Sequence, residues 1–361
     1  MTGDDARPVL LVTGFVAPDR VGAFRALHDR EGLELGLFGG RTHHATGAVA
    51  DPGVPSRTIV QRETFALAAS GRYRAVIAGT AGRAALPAAW RGARRAGVPF
   101  LLWSALWAHP RTPAHAVLGA PLLRLLYRDA DAVIAYGPHV ARFVTARGAR
   151  NVHVAPQAVD GAFWGAPLPA SRRERPPGAR FVALTVGRGA RYKGLPELLT
   201  AWRHSGLTPP GSALVVVGDG AATDVPPGVH LIGPQPPETL RNFYAGADVL
   251  VMPAIATRHT REPWGLVANE AMHRALPVIA TDAVGAAAGG LIRDDRNGLV
   301  VPAAEPEALA RALLTLRDDP DRRARLGAAA ARDVAAYTQD AWAAGVGQAL
   351  ASVGASRQED R

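Results

Sequence analysis

The chain has no cysteine, which excludes disulfide staples and thiolate metal sites and is compatible with a reducing compartment. Lysine is almost missing as well: of 41 basic residues 40 are arginine, and Lys193 is the one exception. Long apolar runs are lacking too. The longest, such as Val98 to Ala108, fall well short of the roughly 20 residues that span a bilayer. The first residues, MTGDDARPVL, carry acids where a secretion signal carries positive charge. These absences lead to the expectation of a cytoplasmic protein, soluble or peripherally bound. No GxGxxG follows the first apolar strand, which closes on Gly14 alone. Gly14 is a point where a phosphate or sugar can approach bare backbone, or simply a turn glycine. Metal ligation is not expected. His43-His44 has no partners at ligand spacing, and Asp129-Ala-Asp131, although it spells DxD, sits where a helix ends and a strand begins.

What is present is a repeated alternation of short apolar segments and helical patterns. Strands are expected at 9–13, 33–37, 75–78, 99–103, 132–135 and 152–154, with a helix from Val21 to Leu27 after the first. A second series comes at 181–186, 213–217, 229–232, 249–252, 278–280 and 299–301. Such alternation implies βαβ units and parallel sheets. With 361 residues and 48% hydrophobic content, two domain-sized cores are expected rather than one. ASRRERPPGAR, with two prolines, a glycine and four arginines, reads as an exposed linker over 171–180, with domain motion about it. The expected division is therefore 1–170, the linker, and 181–337.

Charge is lopsided. Residues 1–170 hold 19 Arg against 11 acids, 171–180 four Arg against one Glu, and 181–361 18 bases against 19 acids. A basic first half suits an anionic acceptor or an anionic lipid surface, and nucleic acid less well. Within it, 79–97 interleaves Arg83, Arg91, Arg94 and Arg95 with Leu86, Ala89 and Trp90. That pattern fits a helix lying on a membrane, or a solvated helix with an apolar inner face. Trp103 and Trp107 fit either an acceptor groove or burial at a strand end.

The second half carries the chemistry. In TREPWGLVANEAM, Glu262 and Glu270 are separated by seven residues, and Pro263 and Gly265 sit where a helix would begin. The backbone N–H groups near Gly265 and Leu266 would then be unpaired and attract an anion. Glu262 would lie at the helix mouth and Glu270 roughly 10–12 Å further on. That separation suits the two ends of a nucleotide diphosphate sugar. Upstream, in VGRGARYKG, a strand ends in Gly187 and Arg188, with Lys193 close behind. A lone lysine in an arginine-rich chain points to a site needing a compact ammonium, as a phosphate oxygen does. Gly218, in Gly218-Asp219-Gly220 after another strand, lies at the same edge.

Glu262-x7-Glu270, with Arg188, Lys193 and the segments LPVIATDAVG and NGLVVP, resembles glycosyltransferase family 4, the retaining nucleotide-sugar transferases. The resemblance is strong over 181–303 and weaker over 8–165. It implies a GT-B fold: two doubly wound Rossmann-like α/β domains facing a central cleft, the first completed by a C-terminal helix over 338–354. It implies a donor UDP- or GDP-sugar and a hydroxyl acceptor on a cell-envelope glycolipid, polysaccharide intermediate or natural product. No cofactor or divalent metal is implied. Glu262 would orient the donor sugar and Glu270 bind the ribose, with Arg188 and Lys193 on the diphosphate. His109, three residues later than the family's histidine usually falls, would face the sugar. AAAGGL, from Ala286, carries glycine where many relatives have an acid. Two alternatives are a catalytically silent nucleotide-sugar binder and a basic membrane-surface module, the latter leaving the glutamate pair unexplained. A phosphorylase of this fold would need its own lysine for pyridoxal phosphate, and Lys193 is committed elsewhere.

Overall fold

The computed structural model describes residues 7–39, 51–220 and 222–357; His43-His44 lies outside them. By contacts the chain divides into one unit of 1–158 with 337–361 and a second of 159–336.

The first unit runs β1 Val9–Thr13, α1 Val21–Glu31, β2 Leu33–Leu37, β3 Ser56–Thr58, α2 Thr64–Ala68, β4 Ala75–Gly79, α3 Ala85–Ala96, β5 Phe100–Ser104, α4 Ala120–Asp129, β6 Ala132–Ala135, α5 Pro138–Thr145 and β7 Val152–Val154. Its seven strands form one parallel sheet ordered β3-β2-β1-β4-β5-β6-β7. The apolar strands are buried on both faces, as a parallel sheet requires. One face packs α1 and the chain's last helix, with Phe24, Leu27, Trp342 and Val346 at its centre. The other packs α2 to α5, with Leu86, Ala89, Leu126 and Val140. Strand β3 was not anticipated. All three of its residues are exposed, so no apolar alternation marks it, and its pairing to β2 is what makes it a strand.

The second unit contains α6 Gly161–Gly165, β8 Phe181–Val186, α7 Leu195–Ser205, β9 Ser212–Val217, β10 Val229–Ile232, α8 Pro237–Gly246, β11 Val249–Met252, α9 Val267–His273, β12 Val278–Thr281, α10 Gly285–Ala288, β13 Gly298–Val301, α11 Pro306–Asp318 and α12 Pro320–Val334. Its parallel sheet is ordered β10-β9-β8-β11-β12-β13. The chain therefore leaves β8 toward β9 on one side and returns to β11 on the other. Such a reversal opens a crevice at the carboxyl ends of the two central strands.

Helix α13, Gln339–Ala351, is capped by Thr338, whose hydroxyl accepts from the Ala341 N–H at 3.0 Å. Trp342 enters the first unit's core 5.7 Å from Phe24 and Trp103. Trp103 is thus a core residue, and the acceptor-groove alternative does not hold for it. The segment 171–180, expected as an exposed linker, is tied to the second unit. The Glu174 N–H donates to Asn242 O at 3.0 Å, and Arg175 donates to Gly246 O and pairs with Asp248 at 2.9 Å. Gly246 has no room for a side chain, because a Cβ there would lie 2.0 Å from Glu174 O. Helix α3 turns Leu86 and Ala89 inward. Trp90 Nε1 donates to Asp129 at 2.7 Å and Arg94 pairs with the same carboxylate, while Asp131 accepts from the Phe100 N–H at 2.8 Å. Both acids of the DxD are therefore structural. Among the described residues no helix is long and apolar enough to cross a membrane, and no three His, Asp or Glu side chains converge as a metal would need.

Candidate functional site

The crevice at the end of β8 is built by glycines that let two loops touch. Gly218 follows β9 with φ +140°, and a Cβ there would lie 1.8 Å from Gly187 O, so the loops after β8 and β9 meet backbone to backbone. Asp219 fastens them by accepting from the Gly189 N–H at 2.6 Å. The chain then turns through Arg191–Lys193 and enters α7. This turn carries the Lys193 stem back across Gly187, whose hypothetical Cβ would sit 3.6 Å from Lys193 Cδ.

Glu262 approaches from the other side of the crevice. It pairs as a single parallel bridge with Val284, and its carbonyl accepts from the Gly285 N–H at 3.1 Å. That anchoring sets its carboxylate against the lysine: Lys193 Nζ lies 2.6 Å from Glu262 Oε2, with side-chain exposures of 21% and 7%. Burial alone would lower the lysine's pKa. The charge and hydrogen bond of Glu262, together with Tyr192, outweigh it, so the ammonium is held above its ordinary value. Arg188 completes the cluster by donating to the Tyr192 hydroxyl at 3.0 Å. Gly187, Arg188, Lys193, Glu262 and Val267 line one cavity of about 30 Å³, with room for a water molecule or two.

Helix α9 starts later than its sequence suggests, at Val267 with Leu266 as N-cap. Gly265 has φ +91°, and its hypothetical Cβ would meet Met252 Cε at 2.3 Å, so it is a sharp bend before the helix rather than its first turn. In its first turn the Ala268 N–H donates to Gly265 O at 3.0 Å and the Glu270 N–H to Leu266 O at 3.1 Å. Glu270 does not join the lysine cluster. It accepts from the Tyr244 hydroxyl at 2.6 Å. Burial first and then the Glu270 charge push that phenol well above its ordinary pKa. Tyr192 and Tyr244 are the two contributors that sequence reasoning missed. Spacing from Arg188 gave a faint signal for the first; nothing local marks the second.

His109 and Gly14 belong to the first unit. Gly14 lies where the bend after β1 passes close to the end of the β2 loop, a hypothetical Cβ being 2.9 Å from Gly39 O. His109 Nδ1 is 3.1 Å from His115 Nε2, and its ring lies against Phe143 and Tyr127. Burial, with Arg147 and His115 adding to it, lowers its pKa to about 4, so the imidazole is neutral at pH 7. Trp107 stands edge-on to His139, 5.2 Å away.

Residues 170–333 match the family model described as glycosyl transferases group 1. The D-inositol 3-phosphate glycosyltransferase of Corynebacterium kroppenstedtii is 35% identical over 179 residues, covering 44% of this chain and 37% of that protein. The protein of the same name from Kineococcus radiotolerans is 35% identical over 221 residues, covering 50% and 47%. The chain spans less than half the length of these curated relatives. Over nearly the whole chain it resembles crystalline Anabaena Alr3699/HepE in complex with UDP and glucose, at TM-score 0.74 and 19% identity, covering 96% of this chain and 100% of that one. Sucrose-phosphate synthase from Thermosynechococcus elongatus gives TM-score 0.71 at 20% identity, covering 97% and 99%. Likeness at such identity shows the fold, which is GT-B with two Rossmann-like α/β domains. The sequence matches are thus to glycosyltransferases over part of the chain, and they do not single out family 4.

Proposed function

We propose that the protein is a retaining glycosyltransferase of the family 4 kind, moving a sugar from a nucleotide diphosphate sugar to an acceptor hydroxyl without a metal ion. The observation that carries this reading is the Lys193–Glu262 pair, 2.6 Å apart beside Arg188 at the sheet's switch point. In the reaction the bond from the anomeric carbon to the β-phosphate oxygen breaks and a bond from the acceptor oxygen to that carbon forms on the same face. The acceptor proton passes to the departing phosphate. Negative charge grows on the diphosphate, and the ammonium of Lys193, the guanidinium of Arg188 and the backbone at Gly265, Leu266 and Gly218 stabilise it in a site already organised before reaction. Glu262 fixes Lys193 and accepts from sugar hydroxyls; Glu270, steadied by Tyr244, accepts from the ribose.

UDP-glucose heads the donors to test, since a similar structure holds UDP and glucose. Acceptor trials begin with D-inositol 3-phosphate, after which the similar proteins are called, and extend to glycolipid, polysaccharide and natural-product alcohols. The proposal puts the protein in the cytoplasm, on the side where such donors are found. The test is a thermal shift with UDP, GDP and ADP in EDTA, where a ligand at about 100 times its Kd adds roughly 2.7 kcal/mol of stability. A shift with one nucleotide that vanishes in Lys193→Ala supports the site. No shift with any of the three overturns it.

A further inference from the structure

The first unit exposes an apolar ridge that the donor chemistry does not use. A π-type turn over His115–Gly119 leads into α4, and on it Val117 and Leu118 are 71% and 73% exposed. About two turns further on, Leu125 is 41% exposed. Two adjacent aliphatic side chains so open to water are uncommon on a surface meant to stay wet, and they project from the fold rather than line a groove.

The ridge is ringed by one sign of charge. Arg111, Arg124 and Arg128 are exposed on the same segment, and Arg91 and Arg95 on α3. Helices α3 and α4 cover the same face of the sheet and are joined where Trp90 and Arg94 meet Asp129. From residue 64 to 159 there are twelve arginines and only two acids, Asp129 and Asp131. Asp129, 32% exposed, pairs with Arg94, and Asp131 accepts from the Phe100 N–H, so the two acids offset only part of this stretch's arginine charge.

We propose that this arginine-ringed ridge of Val117, Leu118 and Leu125 docks the protein on an anionic lipid bilayer. Projecting aliphatics enter the acyl boundary, and the long arginine stems lie along the interface with their guanidinium groups among the headgroup phosphates. A laterally fluid, uniformly negative surface matches a convex ridge with one sign of charge around it, whereas a protein partner would need a complementary pattern of both signs. The surface goes beyond the transferase reading and does not depend on it. If both hold, the acceptor is an alcohol carried in that bilayer.

The test is co-sedimentation of the whole chain with phosphatidylcholine vesicles, with and without a third of phosphatidylglycerol, in the absence of nucleotide. Binding is expected to the anionic vesicles alone and to fall steeply with salt. Val117→Ser with Leu118→Ser should weaken it by roughly tenfold or more, as expected for two aliphatic side chains, with the melting temperature and nucleotide response unchanged. Arg111→Glu with Arg124→Glu should weaken it comparably by the electrostatic route. Vesicle binding that is untouched in both double variants overturns the proposal. So does absent vesicle binding; self-association that the serine variant abolishes would then show the ridge to be covered by a second copy. Vesicle binding in a protein with no nucleotide response supports the surface and counts against the donor site alone.

Discussion

Replacing Lys193 by alanine tests the core of the site by energetics as well as activity. The Glu262 carboxylate is 7% exposed and lies 2.6 Å from the ammonium. Removing one partner of a buried pair costs about 3–5 kcal/mol, because the other charge stays behind. The lysine side chain is 21% exposed, so solvent screens part of this, and about 2–3 kcal/mol is expected. The second unit spans 159–336, and for a domain of that size each kcal/mol moves the Tm by about 2–4 °C, giving a fall of roughly 4–12 °C. The double variant Lys193→Ala with Glu262→Gln should recover most of the loss, since no buried charge remains; urea unfolding of the four proteins in a double-mutant cycle measures this. The pH dependence has a definite sign. The lysine's folded pKa is raised, so the pair's stabilisation is complete below the unfolded value near 10.4 and is lost as pH rises through the higher folded value. The gap between wild type and Lys193→Ala should therefore stay constant from neutral pH to about 9 and close in stronger alkali. A single variant within about 0.5 kcal/mol of wild type, or a double variant no better than the single, would refute the reasoning.

Tyr244→Phe removes a charge-assisted hydrogen bond to Glu270, and should cost about 1–2 kcal/mol of stability. Calorimetry should show a smaller preference for ribonucleotide over 2′-deoxynucleotide if Glu270 reads the ribose; an unchanged preference separates Tyr244 from recognition. Gly218→Ala sets a Cβ 1.8 Å from Gly187 O at φ +140°. It should destabilise the second unit by more than about 3 kcal/mol and abolish the nucleotide response, checked by circular dichroism melts with and without UDP. His109 has a folded pKa lowered to about 4. The unfolded chain therefore binds the extra proton first, and stability falls as pH drops from about 6.5 to 4. Discounted for solvent, the loss is roughly 1–2 kcal/mol, and His109→Gln should flatten that limb of the pH–Tm curve.

The candidate site of the second unit was legible because its residues sit at strand ends. An apolar strand such as Phe181 to Val186 identifies itself, and the residues just past it can only form a loop at the sheet's carboxyl edge. Arg188, Gly218 and the approach to Glu262 therefore fall together once the strands are found. The depth of the site was not legible. That Lys193 folds back over Gly187 to meet Glu262 depends on a turn whose residues, Arg191 to Lys193, carry no apolar period. The Glu270–Tyr244 bond joins positions 26 apart on different helices. The proline- and arginine-rich segment at 171–180 is exposed at eight of its ten positions, as its composition suggests, yet composition does not show that Arg175 is held by Asp248.

The surface ridge shows where a sequence pattern stops discriminating. Helix α3 has its apolar residues on one side, so Leu86 and Ala89 face the sheet and the arginines face water. AHAVLGAPLLRLLY has apolar residues all round the helix, and one sheet face can bury only one side of it. Leu123, Leu126 and Tyr127 take the inner positions, which leaves Val117, Leu118 and Leu125 as surplus. The basic helix that looks amphipathic by sequence is thus satisfied within the fold, and the helix that looks like core carries the unsatisfied face. An apolar excess beyond what the sheet can cover is the signal for a second apolar neighbour. The exposed arginines on its own segment and on α3 narrow that neighbour to one bearing negative charge.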